Sequence, residues 1–154
     1  MLNAHNQQKR MEDVCTALMV LSKLESGQKL GTRADVVHAE SGWFTALKRA
    51  WSEESRTKTH ATLKAVYEDA FSILQETCDK YVGAKSEQER IKTMTFLKQL
   101  TRELRMSKVG LSNLIMEYQT DTAITSRFEL LMHEVDTAIE VAAVNVPDLA
   151  EDDE

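Results

Sequence analysis

The chain has 154 residues, of which 42% are hydrophobic and 29% are charged, and its net charge is −6. This balance excludes an intrinsically disordered chain, and the length predicts one domain that needs neither a metal nor a disulfide to fold. Glycine occurs five times and proline once. Because both residues interrupt helices, their scarcity favours an all-α fold.

Charge is unevenly distributed along the chain. No lysine or arginine follows Arg127, whereas nine aspartate and glutamate residues do. The preceding part is therefore mildly basic and the C-terminal end is acidic. We predict a single helical domain over residues 1–146 and an acidic, disordered tail over residues 147–154.

Neither a secretory leader nor a membrane span is predicted. Residues 1–10 are polar, and no apolar run approaches the ~20 residues that cross a bilayer. Cys15 and Cys78 both fall on predicted buried helix faces, where reduced thiols pack as small hydrophobic groups. A disulfide between them is a geometric alternative that the spacing does not decide. We expect a soluble, intracellular and cytoplasmic protein.

In chain order, the first predicted helix runs from about Asn6 to Leu24 and ends before Gly27. Its apolar residues recur at the three- and four-residue spacing of one helix face, and they are Met11, Val14, Cys15, Leu18, Leu21 and Leu24. The pattern lapses over residues 26–42, where three glycines fall. We predict an irregular segment there, in which two short extended pieces can pair as a small hairpin.

An aromatic segment and a long helix follow, and the other helices are expected to pack on them. Ser41 is placed to cap a short second helix, and Ser52 or Ser55 caps a long third helix that ends at Gly83. The short helix carries Trp43, Phe44, Leu47 and Trp51, and the long helix carries Leu63, Val66, Tyr67, Ala70, Leu74, Cys78 and Tyr81.

Three signals divide the remainder of the chain. A capping box from Ser86 to Glu89 starts the fourth helix, Gly110 breaks or bends it, and Asp121 caps the last helix. The apolar stripes are Ile91, Met94, Leu97, Leu100 and Leu104 with Phe96 beside them, then Leu111, Leu114, Ile115 and Tyr118, then Ile124, Phe128, Leu131, Val135, Ile139 and Ala142. The prediction is an antiparallel bundle of five to six helices.

No motif predicts a metal site, a cofactor or a catalytic centre. The four histidines have no second histidine or cysteine at ligand spacing, and His133 beside Glu129 and Glu134 is interpreted as a solvated helix face. The chain contains no GxSxG motif and no phosphate-binding glycine loop. We therefore predict no metal, no cofactor and no enzymatic activity, with a small enzyme that lacks a recognisable motif as one alternative.

A basic and aromatic segment is the predicted functional surface. Cations and two tryptophans are interleaved between residues 29 and 64, and Trp and Arg are enriched at protein interfaces. The residues predicted to bind a partner are Lys29, Arg33, Trp43, Lys48, Arg49, Trp51 and Arg56. The same cations and indoles suit phosphates and bases, so nucleic-acid association is an alternative function. The structural alternative is that the tryptophans belong to the core and the cations to a solvated face.

Two blocks of the sequence resemble a pattern in small uncharacterised helical proteins of large double-stranded DNA viruses. The blocks are Lys23 to Arg33 with Trp43 to Trp51 and Ser55-Arg56, and then Gly110 to Leu114 with Tyr118 and Asp121. The resemblance implies a viral protein, located in the virion or in the cytoplasm of the host. We predict a non-enzymatic interaction or structural protein, which binds another protein or associates with itself.

Overall fold

The computed structural model describes residues 4–22 and 56–151, and all the regular structure in these two ranges is helical. Four long helices, α1 (Ala4–Ser22), α2 (Arg56–Val82), α3 (Glu87–Glu117) and α4 (Thr122–Asn145), precede a single helical turn, α5 (Asp148–Glu151). The all-α prediction is confirmed for this part of the chain, which contains four long helices and does not match the five to six predicted for the whole chain. The predicted hairpin within residues 26–42 and the short aromatic helix after it lie outside the described residues.

Two predicted caps start helices. The Ser86 hydroxyl accepts a hydrogen bond from the Glu89 amide at 3.1 Å, and the Asp121 carboxylate accepts one from the Ile124 amide at 3.2 Å. Each bond satisfies one of the amides that have no partner in the first turn of a helix. As predicted, α2 ends immediately before Gly83. The ends of these helices are therefore decided by residues adjacent to them in the chain.

Within the described residues, the predicted apolar stripes form the core of the bundle, with one exception. Ile91 is 59% exposed, whereas Leu97 on the same helix is fully buried. Ile91 and Leu97 are six residues apart, so their side chains point about 120° away from each other around the helix axis. Ile91 therefore lies on the outer side of α3, and Thr93 is buried instead. The largest fully buried side chains are Tyr67, Phe128, Leu18, Leu21, Leu63, Leu97, Leu100, Leu104, Leu111 and Val14.

The centre of the bundle is formed by α2 and α3, which run in opposite directions. The Tyr67 and Ser107 hydroxyls lie 2.6 Å apart in the middle of this pair, and the Arg90 guanidinium lies 5.9 Å from the centre of the Tyr81 ring at one end. The remaining long helices, α1 and α4, each pack against both members of the pair. In the described part of the chain, the consecutive helices α2, α3 and α4 are therefore successively antiparallel, as predicted.

Two contacts join helices that run in the same direction, α1 with α3 and α2 with α4. In the α2–α4 pair, the His60 and Phe128 rings pack edge to face near the start of both helices, with centroids 5.6 Å apart. Cys78 and Asn145 line one cavity near the other end of the same pair. Because α2 and α4 begin at the same end of the bundle, their helix dipoles add instead of cancelling.

Gly110 does not break α3, contrary to the prediction from its position in the sequence. The helix continues without interruption from Glu87 to Glu117, so the separate fifth helix is wrong. A Cβ atom at residue 110 would lie 2.7 Å and 2.8 Å from the Cδ1 and Cγ atoms of Leu21, and closer still to the Leu21 carbonyl oxygen. The glycine therefore lets the backbone of α1 approach α3, which a larger residue would prevent.

A polar pair lies inside the apolar core. The Ser107 hydroxyl donates to the Leu104 carbonyl oxygen at 2.7 Å, which leaves the Tyr67 hydroxyl to donate to Ser107. Burial raises the pKa of Tyr67 far above its ordinary value, although the hydrogen bond with Ser107 acts in the opposite direction. No buried side-chain nitrogen or oxygen of the described residues lacks a hydrogen-bond partner. The pair is a satisfied structural element of the core.

After α4 the chain packs back onto the bundle. Leu149 contacts the core, and the Tyr81 hydroxyl donates to the Asp148 carboxylate at 2.9 Å. Residues 152–154 lie outside the described residues, so the boundary between the domain and an acidic tail stays a prediction. Within the two described ranges, no helix combines the length and the apolar character needed to span a bilayer.

Candidate functional site

The structure describes little of the surface that the sequence predicts to bind a partner. Arg56 is the first residue of α2, and its side chain is outside the described atoms. The other residues of the set, Lys29, Arg33, Trp43, Lys48, Arg49 and Trp51, lie outside the described residues altogether. This partner-binding set therefore stays a prediction.

The histidine considered as a metal ligand lies on the outside of α4. His133 is exposed, as are Glu129 and Glu134 beside it. Among the described side chains, no group of three or more histidine, cysteine, aspartate or glutamate residues converges where a metal ion could bind. Cavities and exposed apolar surface are the features that this part of the chain offers to a ligand or partner.

A half-open cavity of about 280 Å³ lies between the parallel helices α2 and α4. Its walls are mainly apolar, with polar groups at the rim. The lining residues are Phe71, Leu74, Gln75, Cys78 and Asp79 from α2, and Ala138, Val141, Ala142 and Asn145 from α4. We refer to this cavity as the α2–α4 groove.

Small side chains on α4 leave the space that becomes the groove. Ala138 and Ala142 are four residues apart, and therefore lie one above the other on the same side of the helix. Both line the groove opposite Phe71 and Cys78 of α2. A methyl group is too short to fill the space between two helices, so a gap remains beside the buried Leu74.

The two cysteines are free and buried, as predicted. Cys78 lies in the wall of the groove, where burial raises the pKa of its thiol and the nearby Asp79 raises it further. Cys15 lies in α1, where burial and then the charge of Glu103 raise its pKa to about 11. Both thiols are therefore protonated at neutral pH and are poor nucleophiles, since the thiolate is the reactive form.

Charge differs between the two ends of the α2–α4 helix pair. Burial, followed by the positive charges of Arg127 and Lys64, lowers the pKa of His60. Both cations therefore lie near the His60 ring, at the end where the two helices begin. Asp79 lines the groove toward the opposite end. Since the helix dipoles are also positive at the first end and negative at the second, the helix pair has a positive and a negative end, with the groove nearer the negative one.

Exposed aliphatic side chains border the groove along α4. Val141 is 53% exposed at its edge, and Leu130 and Val144 are 57% and 78% exposed. Spacings of 11 and 14 residues are close to whole numbers of helical turns, so the three share one side of α4 together with Glu134 and Thr137. Single exposed aliphatic residues are common, but several in line beside an apolar groove indicate an interaction surface. We call the groove and this border, together with the charged ends, the α2–α4 face.

A second cavity, of about 420 Å³, lies between α1 and α2 and is rich in charged groups. Its lining residues are Arg10, Met11, Ile73, Glu76, Thr77, Asp79 and Lys80. Arg10 donates from Nε to the Asp69 carboxylate at 2.9 Å and from Nη1 to the Glu76 carboxylate at 3.3 Å. These bonds join α1 to α2, and they give the arginine a structural role instead of leaving it to bind a ligand.

Sequence reasoning did not identify the α2–α4 face, although two signals for it exist. Phe71 lies off the main apolar stripe of α2, and Ala138 and Ala142 place two small residues on one side of α4. Neither signal shows that these surfaces meet, because residues about 70 positions apart are brought together only by the packing of α2 against α4.

The fold and the α2–α4 face are the basis on which a function can be proposed. Comparison of the chain with protein-family models, with curated proteins and with solved structures finds no match.

Proposed function

We propose that this protein is a non-enzymatic interaction protein, which binds another protein through the α2–α4 face. The observation that carries the proposal is the half-open apolar groove with exposed Val141 at its edge, continued along α4 by Leu130 and Val144. A partner that covers this surface removes apolar area from water, which is favourable by about 25 cal/mol per Å².

The shape of the groove favours a helical partner. Two parallel helices with a cavity between them form a linear depression, into which an amphipathic helix can insert apolar side chains from one face. Phe71 and Leu74 on one wall and Ala142 on the other provide apolar contacts for such a side chain. The polar groups at the rim, Gln75 and Asn145, can bond to the polar edge of that helix.

One residue of the basic surface predicted from the sequence, Arg56, lies on the helix that carries Lys64. Arg56 begins α2 about two turns before Lys64, so both cations belong to one helix. An acidic group on the partner would be attracted to this end. In the setting implied by the viral resemblance, the interaction takes place in a virion or in the host cytoplasm.

Two matched valine variants test the α2–α4 face. Val141 on the face and Val109 on α3 are 53% and 54% exposed, so Val→Asp makes the same chemical change at equally exposed helical sites. The measurement is affinity capture from the source cells followed by quantitative mass spectrometry. We expect Val141→Asp to lose proteins that the wild type and Val109→Asp both retain. Equal capture by the two variants would reject this face as the binding surface.

Nucleic-acid association, the alternative from the sequence, uses the basic and aromatic segment of residues 29–64. Lys64, the last cation of that segment, and Arg127 of α4 each lower the pKa of His60, so an anion would be attracted to this end of the helix pair. A gel shift with duplex and single-stranded DNA over a salt series separates the two functions, because phosphate-driven binding weakens steeply as salt rises. The absence of a shift at low salt would eliminate the alternative.

A further inference from the structure

The α2–α4 face has a charge pattern that is complementary to itself. Lys64 and Asp79 lie fifteen positions apart on α2, which is about 22 Å along the helix. Arg127 lies with Lys64 at the positive end. If two identical faces pack against each other about a two-fold axis that lies in the interface and is perpendicular to the helices, each positive end lies opposite a negative end. A parallel arrangement would bring like charges together.

We propose that the occupant of the α2–α4 face is a second copy of this chain, packed with its α2 and α4 antiparallel to those of the first. The inference rests on the proposed function, because it identifies the partner of the same face. In a two-fold contact each pair of residues occurs twice. Lys64 of each copy therefore meets Asp79 of the other, and the apolar surface around Phe71 and Val141 packs between the two charged pairs.

The helix dipoles favour the same arrangement. Both helices of the face run in one direction, so the face ends in two helix N-termini at one side and two C-termini at the other. Antiparallel pairing of two copies brings the N-termini of each copy to the C-termini of the other. This contribution does not depend on any one side chain, and it opposes a parallel dimer.

The size of the face is close to what a stable dimer requires. With 27 and 24 residues, α2 and α4 are about 40 Å and 36 Å long. Two such helices lie about 10 Å apart and are each about 10 Å wide, so the pair is about 20 Å across. Its projected surface is of the order of 700 Å², against about 800 Å² that each partner contributes to a standard interface.

The charged groups at the ends of the face are not committed elsewhere in the described part of the chain. The ion pairs found there are made by Arg10 and Lys108, and none includes Lys64, Arg127 or Asp79. The three side chains therefore remain able to pair across an interface.

Charge reversal tests both the occupant and its orientation. Sedimentation equilibrium of the full chain over a concentration series should show a reversible dimer of the wild type. In a dimer of Lys64→Glu, the new glutamate of each copy faces Asp79 of the other copy. In a dimer of Asp79→Lys, the new lysine of each copy faces Lys64 of the other. The dimer of either variant alone therefore contains two repulsive pairs. We expect each to dimerise about tenfold or more weakly than the wild type, since juxtaposed like charges are strongly unfavourable.

An equimolar mixture of the two variants gives the decisive result. In a mixed dimer Glu at position 64 meets Lys at position 79, and Asp79 meets Lys64, so both pairs become attractive again. We expect the mixture to recover wild-type dimerisation, which a general loss of stability could not produce. Lys92→Glu on α3 is the control for the change of net charge and should dimerise normally, and helical circular dichroism checks the fold of every variant.

The results that overturn the second-copy proposal differ from those that overturn the proposed function. A wild type that remains monomeric at all concentrations, single variants that dimerise normally, or a mixture that does not recover dimerisation would each reject pairing of two copies. The interaction function with a different partner would survive these results. It fails instead if Val141→Asp and Val109→Asp capture the same proteins.

Discussion

Replacing Gly110 with alanine tests the close approach of α1 to α3. The new Cβ atom would lie 2.7 Å from Cδ1 and 2.8 Å from Cγ of Leu21, and nearer still to the Leu21 carbonyl oxygen. The leucine side chain can adjust, but the carbonyl oxygen belongs to the α1 backbone, so the two helices must separate. Overpacking costs about 1–3 kcal/mol, and we expect the upper value because a backbone atom obstructs the methyl group. Alanine regains about 1 kcal/mol of helix propensity, which leaves a net loss of about 2 kcal/mol.

Thermal and urea unfolding, followed by helical circular dichroism, measure this loss. For a domain of this size, about 2 kcal/mol lowers Tm by about 4–8 °C. Gly83→Ala is the matched control, because its Cβ atom would meet the Asp79 carbonyl oxygen at 3.4 Å, an ordinary contact. This variant should be stabilised by about 0.4–1 kcal/mol through restriction of the unfolded chain. An unchanged unfolding midpoint for Gly110→Ala would refute the close helix contact.

Two further predictions concern the buried polar pair and the basic surface. Tyr67→Phe should cost about 1 kcal/mol, because Ser107 keeps its bond to a carbonyl, whereas Ser107→Ala leaves the tyrosine hydroxyl unpaired and should cost about 1–3 kcal/mol. Because the pKa of Tyr67 is raised in the folded state, the unfolded chain loses this proton first, and the tyrosine lowers stability as pH rises above about 10. Measured on both sides of about pH 10, the free energy of unfolding should fall less steeply with pH for Tyr67→Phe than for the wild type. Identical slopes would contradict the raised pKa of Tyr67 in the folded state. Exchange of Arg49 and Arg56 for glutamate should abolish capture of the partner without changing helical circular dichroism; retained binding would reject the predicted basic surface.

The ends of the helices follow from short-range chemistry. Ser86 and Asp121 each have a side-chain oxygen within reach of an amide three residues ahead, and the structure contains both bonds. The helix α2 also ends next to the glycine at which the sequence predicts its end, Gly83. Such features need only the identity of neighbouring residues, so one sequence is sufficient to predict them.

The errors in the predicted fold occur where a distant helix decides the outcome. Ile91 continues the apolar pattern of α3 in the sequence, yet none of the described helices covers that side of its turn, and the residue is exposed. Glycine commonly ends a helix, but Gly110 lies in close contact with α1, and α3 continues through it. A local sequence pattern does not show which other helix will pack beside a given residue.

The candidate site depends even more on long-range packing. Phe71 and Val141 line one groove although 70 positions separate them, and Lys64 and Arg127 approach the same ring from different helices. The residues predicted from the sequence to bind a partner, such as Trp43 and Arg49, lie close together in the chain, because a sequence shows directly only clusters of neighbouring residues. A surface assembled from two helices becomes visible only when their relative direction and register are known.

The amino-acid sequence by itself determined the helical class, the end of α2, the starts of α3 and α4 at their caps, and most of the described buried stripe, because helix formation and amphipathic spacing are local properties. The tertiary structure decided that α2 and α4 run in the same direction and leave a gap between them beside Ala138 and Ala142. It also decided that Gly110 is a contact point and not a helix end. These features depend on contacts between residues far apart in the chain, which the packing of the whole core selects.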